Sequence, residues 1–554
     1  MNNLTLRVCF STADRAFAPF MSALVSQAEK MDIEIITEDT SVSTGVLPIV
    51  LQRTNGDQFT VDVSTPYIQG KFCGERELQA ITGLMAVHSR SLGQISYLGV
   101  DYISVTAASL VMQLLIAGLF GRVRGATILR CNFDLTQAGL LAVGQYLAGA
   151  SVDYGAESFL AGNGEPNKRP PFRSNDGILF ELESLSPKPW QIFWRDLGVS
   201  DKDIGKGWHG FMQRYAKAIS PIPSSMINLL SELSFSQLQE KAHLSGIYIT
   251  KLCSLDERKS DEKLAALLTK GPWQIEPHDA ALLNGYSTVT AALRANATQP
   301  LAGITVVESC RRIQGPMAGH LLTLLGATVI RIEPPGGDLL RGMPPLAGDC
   351  SARFDALNYL KQVREIDIKS VAGKAEIMAL IKDADVFIHN WAPGKAAQLG
   401  LDCSDMVKVN PALIYAYAGG WGKSDNEIDI PGTDFMVQAY SGLADIISQH
   451  GGSPGGTLFT ATDLFGGILA SQAVVIALYR RLTANTGFYV ESSLLGAATL
   501  LSESYLNSNA VLSEHHDVKD LVVDDLSSLS SHPVLELFLT TNDYTRLDSL
   551  WRMS

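Results

Sequence analysis

Ile304-Thr305-Val306-Val307, then Gly315-Pro316, then Gly326-Ala327-Thr328-Val329-Ile330-Arg331-Ile332 decide the fold of this chain. The first piece is a short apolar, β-branched run and reads as a strand. Gly315-Pro316 opens a helix to about Leu325, because proline is pre-organised for a first helical turn. The third piece is the next strand. Strand, helix and strand form a βαβ unit, which predicts a parallel sheet with ligands at the strand carboxyl ends. Lys374 to Ile381, Asp385-Val386-Phe387-Ile388 and Leu413-Ile414-Tyr415-Ala416-Tyr417 continue the alternation. Residues 301–505 are therefore expected to form an α/β, Rossmann-like large domain.

A chain of 554 residues has room for more than one core. Its 46% hydrophobic and 18% charged residues suit a globular protein. A net charge of −13 argues against general nucleic-acid binding, which needs a basic surface, but leaves room for a local basic pocket holding a small polyanion. The seven cysteines are scattered, without a Cys-x-x-Cys pair, as expected of reduced thiols in the cytoplasm. No secretory signal is read at the N-terminus. Ile103 to Phe120 is long and uncharged enough for a membrane span, yet it contains Ser104, Thr106, Ser109 and Gln113, and a similar run recurs later. A buried helix and no membrane partner are expected.

That recurrence is part of a larger one. Glu77-Leu78-Gln79-Ala80-Ile81-Thr82-Gly83-Leu84 lies beside Met436-Val437-Gln438-Ala439-Tyr440-Ser441-Gly442-Leu443. With a short gap, Gly99-Val100-Asp101-Tyr102 falls opposite Ala461-Thr462-Asp463-Leu464. Each aspartate leads an apolar run, basic residues and a strand-like piece, Ala126 to Arg130 in one copy and Gly487 to Val490 in the other. An internal duplication is expected, two unrelated amphipathic helices being the plainer alternative. Residues 1–155 would be a degenerate copy of the core. Residues 156–265, with a strand at Gly177 to Leu182 and helices from Trp190 and Phe235, read as a smaller α+β domain. Residues 266–300 read as a connection and 506–554 as a divergent C-terminal segment.

The chemistry-bearing candidate is Asp463, which precedes Gly466 and Gly467 and follows Asp434 by 29 residues. A carboxylate beside glycines can be approached closely by a bulky ligand, which suits a nucleophile. A helix N-cap is the ordinary alternative. Two other motifs are set aside. Gly419 to Ser424 ends like a phosphate-binding loop but has Tyr417 where that motif needs glycine, and His515-His516 has no ligand cluster around it.

The second half resembles the class III CoA-transferases, the family of formyl-CoA and carnitine CoA-transferases. The resemblance rests on Gly315-Pro316, on Leu325 through Asp338 with Arg341 beyond, and on Asn358 and Lys361. It continues through Asp385 to Gly394, Leu399-Gly400-Leu401 and Asn410 to Tyr415. It implies CoA transfer from an acyl-CoA to a small carboxylic acid, through an anhydride and then an aspartyl-CoA thioester on Asp463. Asp434 would support that carboxylate. It implies no tightly bound cofactor, the CoA thioester being substrate. A carboxylate of ordinary pKa would be ionised at neutral pH without a general base. Gln314 and Gly315 would line the site, Arg331, Arg341, Lys361 and Lys395 would face the CoA phosphates, and Asn390 and Trp391 would contact adenine or pantetheine. Each cation could equally be a solvated surface charge, and Trp391 a core residue.

Related racemases carry histidine where this chain has Thr433, which cannot serve as the α-proton base, so a 2-methylacyl-CoA racemase or isomerase is the lesser reading. A non-catalytic CoA-binding or scaffold relative is another. Asp101, with Ser104-Val105 in place of the glycines, is expected to be a scaffold residue. Family members form interlocked dimers, so a homo-oligomer or an internal pseudo-dimer of two family-like halves is expected, with the small domain of the first half serving the second.

Overall fold

The computed structural model describes residues 1, 3–10, 15–39, 45–278, 298–422, 428, 430–484, 486–506 and 518–553. Its largest sheet has seven strands in the order Trp273–Pro277, Phe488–Ser493, Ile414–Gly419, Val386–His389, Thr305–Ser309, Thr328–Glu333 and Gln362–Glu365. All neighbours are parallel except Trp273–Pro277, which runs antiparallel along Phe488–Ser493. The βαβ unit lies where the sequence puts it, with its helix at Gln314–Leu324. Central strands such as Val386–His389 are buried along their whole length, which is why they read as unbroken apolar runs.

A second sheet of six strands, mixed in direction, takes the order Glu34–Asp39, Leu4–Phe10, Val46–Arg53, Gln58–Ser64, Arg130–Asp134 and Arg552–Met553. The strand expected at Ala126 to Arg130 begins only at Arg130. Between the two halves, Phe172–Arg173, Leu179–Glu183 and Tyr248–Lys251 form a small antiparallel sheet. Helices Pro187–Asp196, Asp201–Met212 and Phe235–Ser245 cover it around a separate core of Trp190, Phe193, Trp194 and Phe211. The molecule is thus a mixed α/β protein.

The two longest helices, Tyr102–Val123 and Ala461–Arg481, are apolar enough to cross a membrane but are buried against each other in the protein core. Their polar residues explain the pairing. Gln113 Nε2 donates to Ser471 Oγ (2.6 Å), and Gln472 Nε2 donates to the Ser109 carbonyl and to Gln27 Oε1 (both 3.1 Å). Amides inside an apolar seam fix one register, since any slide would leave them without partners.

The same series of elements recurs in both halves. Glu75–Ile81, Leu84–Ser89, Tyr102–Val123, Arg130–Asp134 and Leu135–Ala150 match Asp434–Ser441, Leu443–Gly451, Ala461–Arg481, Phe488–Ser493 and Leu494–Leu506. Gly83 and Gly442 join the first two helices in each, both left-handed (φ +79° and +86°), a conformation glycine adopts without strain. The chain after each core crosses to the other one. Cys253 N donates to the Ala439 carbonyl, and Val523 N donates to the Ala80 carbonyl. The first tail ends in Trp273–Pro277 on the second sheet, and the second tail ends in Arg552–Met553 on the first. The stretch 266–300, expected as a connection, therefore contains a strand, and residues 518–553 seal the first core with Leu526, Leu529 and Trp551.

Trp551 is 4% exposed, and its indole N–H donates to the Leu324 carbonyl of the second half. Trp551→Ala is expected to destabilise the chain by about 3–5 kcal/mol, the range for emptying a large aromatic site. Urea unfolding followed by fluorescence of the remaining tryptophans checks this through a lowered midpoint.

Candidate functional site

Helix Ala461–Arg481 begins at Thr460, so Asp463 sits in its first turn and is not its N-cap. The N-terminus of this helix is held by Asp434, the first residue of Asp434–Ser441. Asp434 is 1% exposed and accepts from Asp463 N (2.7 Å), Thr462 Oγ1 (2.9 Å) and Gln438 Nε2 (2.5 Å). Burial raises the pKa of Asp434, and these donors pull it back. Asp463 lacks such donors. Burial, and then the charge of Asp434, push its carboxyl up to about 8, while Arg312 opposes the shift and Glu183 adds to it. The pair titrates as a unit in which Asp434 keeps the charge and Asp463 the proton. The expectation of a spontaneously ionised Asp463 fails in the unliganded protein. The residue is nonetheless only part-buried, while its helix neighbours on either side are buried.

Gly466 and Gly467 lie one turn further along the same helix face. A Cβ at 466 would stand 2.7 Å from Leu494 Cδ2 and 3.3 Å from Gln314 Nε2, and one at 467 would meet the Gln314 carbonyl at 2.5 Å. These glycines admit helix Gln314–Leu324, a correction to their reading as room for a ligand. Gln314 is buried and donates to the Gly419 carbonyl (3.0 Å), and Gly315 packs on Cys310. Asp463 therefore faces the segment that follows strand Thr305–Ser309, at the carboxyl edge of the parallel sheet.

Two expected phosphate ligands are committed elsewhere. Arg331 is buried and paired with Glu308 (2.6 Å), Asp338 (2.9 Å) and Glu333 (3.2 Å). Lys361 is buried with Glu308 (2.8 Å) and the Pro316 carbonyl (2.7 Å), and burial lowers its pKa to about 8. Stripping either cation from Glu308 would leave a buried carboxylate undercompensated, so their role is structural. Arg341 binds Glu333 at 2.7 Å but is partly exposed, and Lys395 is a partly exposed neighbour of Gln398. Asn390 clamps the backbone of Arg311, accepting from its N–H (2.9 Å) and donating to its carbonyl (2.8 Å). Trp391 is half-buried, its ring 4.7 Å from His389 and 5.8 Å from Phe387. Lys423, Ser424, His515 and His516 lie outside the described residues.

Sequence reading expects the small domain to serve the second half but names none of its residues at the site. Glu183 is buried and accepts from Thr433 Oγ1 (2.7 Å), Arg214 Nη2 (3.3 Å) and the Tyr215 hydroxyl. Tyr215 packs on Phe435 at 5.3 Å and lies 5.6 Å from the Arg312 guanidinium. No local motif marks these residues, whereas Gln438 lay inside the recurring Gln-Ala pair.

The site's bonding recurs in the first half at a spacing of 359 residues, the separation of Tyr102 and Ala461, which are themselves bonded. Glu75 takes the place of Asp434, accepting from Gln79 Nε2 and from the N–H groups of Ile103 and Ser104 (2.8–2.9 Å). Gln79 binds Leu98 N and the Val100 carbonyl, as Gln438 binds Thr457 N and the Phe459 carbonyl. In this register Ser104 stands opposite Asp463, and Asp101 stands opposite Thr460. The gapped alignment of Asp101 with Asp463 is thereby corrected.

Residues 301–526 match the sequence model of CoA-transferase family III. Among curated relatives, the acetyl-CoA:oxalate CoA-transferase of Acetobacter aceti is 34% identical over 199 residues, 35% of this chain and 51% of the relative. The succinate–glutarate CoA-transferase of Agrobacterium fabrum is 34% identical over 208 residues, 36% of this chain and 52% of the relative. The chain spans about half the length of these relatives. A crystal structure of Rv3272 from M. tuberculosis is 29% identical, covering 38% of this chain and 59% of that one with a TM-score of 0.36.

Because the folded pKa of Asp463 lies above its unfolded value of about 4, its ionisation destabilises the fold. The penalty is absent below about pH 4, grows as the unfolded chain ionises, and levels off above pH 8. Asp463→Asn should raise the Tm by about 3 °C at pH 8 and leave it unchanged at pH 4. Calorimetry at the two pH values checks this.

Proposed function

We propose that this chain transfers CoA from an acyl-CoA to a carboxylic acid through Asp463, at one site built by both halves of a single polypeptide. The observation that carries this reading is the Asp434–Asp463 couple, which fixes one carboxyl group, on a part-buried residue, at the carboxyl edge of a parallel sheet. Once ionised, Asp463 attacks the thioester carbon and the C–S bond breaks, giving an acyl-aspartyl anhydride and CoA thiolate. The thiolate adds to the Asp463 γ-carbon and the donor acid leaves, so CoA is held as a thioester. The incoming carboxylate reverses both steps, and Asp463 is restored as a carboxylate.

Asp434 positions this group through its backbone N–H and keeps its pKa near 8, where it remains nucleophilic once charged. The small domain supports the chemistry by covering the couple, since an anhydride survives only where water is excluded. Thr433 favours transfer over racemisation, because its hydroxyl is committed to Glu183 and offers no α-proton base. The names of the relatives, with oxalate, succinate and glutarate among their acids, support short carboxylic acids as acceptors.

The matching elements and crossed tails support an internal duplication that makes the chain its own pseudo-dimer. Its first site is silent, because Ser104, which has no carboxylate, occupies the nucleophile's register beside Glu75. Seven free cysteines support a cytoplasmic setting.

Intact-protein mass spectrometry after incubation with a panel of short acyl-CoAs tests this reading. One CoA adduct per chain is expected, located at Asp463, lost in Asp463→Asn and retained in Asp101→Asn and Ser104→Ala. Asp463→Asn should lower turnover by at least about three orders of magnitude. An adduct that persists in Asp463→Asn would overturn the assignment, and kcat/KM for the acyl-CoA should rise with pH through about 8.

A further inference from the structure

Arg312 occupies an unusual place. It follows strand Thr305–Ser309, two residues before the helix whose Gln314 packs against Gly466. Its backbone is left-handed (φ +63°), uncommon for a residue with a side chain and strained by about 1 kcal/mol or more. The turn is held there from outside, since Asn390 grips the preceding residue through both N–H and carbonyl. A solvated surface charge would not need such a hold.

The guanidinium lies 5.6 Å from the Tyr215 ring, a cation–π distance, and within electrostatic reach of Asp463. Among the described residues it donates no side-chain hydrogen bond and belongs to no ion pair, unlike Arg331, Arg341 and Lys361. Asp463, which its charge reaches, also feels the carboxylates of Asp434 and Glu183, and these repel any incoming anion. Glu183 is already occupied by Arg214, Tyr215 and Thr433, and Asp434 by its three donors. The planar fork of arginine matches a carboxylate's two oxygens.

We propose that Arg312, bracketed by Tyr215 and fixed by the Asn390 clamp, binds the carboxylate of the acid that receives CoA and holds it against the Asp463 thioester. This rests on the reading of Asp463 as nucleophile and assigns the second substrate's site. The acid's oxygen forms a bond to the Asp463 γ-carbon as the C–S bond breaks and the electron pair leaves on the CoA thiolate. The thiolate then attacks the acid's carbonyl carbon, and the Asp463 carboxylate departs. Arg312 acts before the first of these steps, when the acid is a free anion and must enter an acidic pocket. By microscopic reversibility the same contact receives the donor acid as it leaves during charging, whereas CoA binding and attack on the charged Asp463 by an uncharged nucleophile do not need it.

The test separates recognition of the acid from recognition of CoA, using the thioester that charges Asp463 best in the preceding experiment and its own isotope-labelled free acid. That acid is an acceptor by microscopic reversibility. In Arg312→Gln, kcat/KM for label exchange from the free acid should fall about 100-fold, the effect expected of losing a charged hydrogen bond, and charging should slow in step, while desulfo-CoA binding and discharge of the aspartyl-CoA thioester by neutral hydroxylamine stay within about threefold of wild type. Arg312→Lys should recover part of the loss, and both variants should keep the wild-type Tm. Weakened desulfo-CoA binding would assign Arg312 to CoA and overturn the proposal, as would an equal loss with hydroxylamine or unchanged label exchange. Failure of every thioester to charge wild-type Asp463 would instead refute the nucleophile itself.

Discussion

The hydrogen bonds from residues 462 and 463 to the buried carboxylate of Asp434 set the geometry on which the site depends. An isolated helix end leaves N–H groups without partners, and here a side chain from another helix satisfies them. That joins the start of Ala461–Arg481 to Asp434–Ser441 and fixes which way the first turn faces. Glu75 makes the same connection to Ile103 and Ser104 in the first half, where Ser104 stands in the place of the second carboxylate. An acid at this place is therefore a structural requirement of the arrangement before it is a chemical one. Its longer reach as glutamate, against aspartate in the second half, leaves the bonded partners the same.

Electrostatics turns that joint into a functional feature. A buried carboxylate with three donors retains its charge, and the neighbouring carboxylate without donors must then bear the proton. Asp434 thus does two things through one geometry: it orients Asp463 and raises its basicity. Glu183 reinforces the second effect from the small domain. Arg312, exposed and on the opposing loop, limits the shift, so the proton on Asp463 can be displaced near neutral pH.

The βαβ unit was legible in the sequence because it is local: β-branched runs, Gly315-Pro316 and short spacings carry it without knowledge of any distant residue. The buried long helices were legible for the same reason, and Gln113 was a fair sign of an interior partner. The register of the recurrence was not. Asp101 resembles Asp463 chemically, and aligning the two invites a gap that the hydrogen bonds of Gln79 and Gln438 exclude. The cations failed differently. Arg331 and Lys361 look like free phosphate ligands until strand pairing brings Glu308, Glu333 and Asp338 beside them. Glu183 and Tyr215 come from a domain far away in the chain, and Arg312 has no motif, since a left-handed arginine is marked only by its backbone.

The unequal tails follow from unequal sites. The core that bears Asp463 receives Glu183, Tyr215 and the small domain's helices before the chain returns to the sheet at Trp273. Among the described residues, the core that bears Ser104 receives the short segment from Lys519 to Met553, whose Val523 makes the backbone bond that Cys253 makes on the other side. Gly442 meets Leu255 and Gly83 meets Leu526 at the same turn of each core. Sealing apolar surface requires only such contacts. Protecting an anhydride from water requires a cover with polar groups placed around the reacting carbon. On the reading of Asp463 as nucleophile, a small domain retained over that residue alone is what a chain with one chemical site needs, and the silent half persists because its core and the tail it receives complete the other's fold.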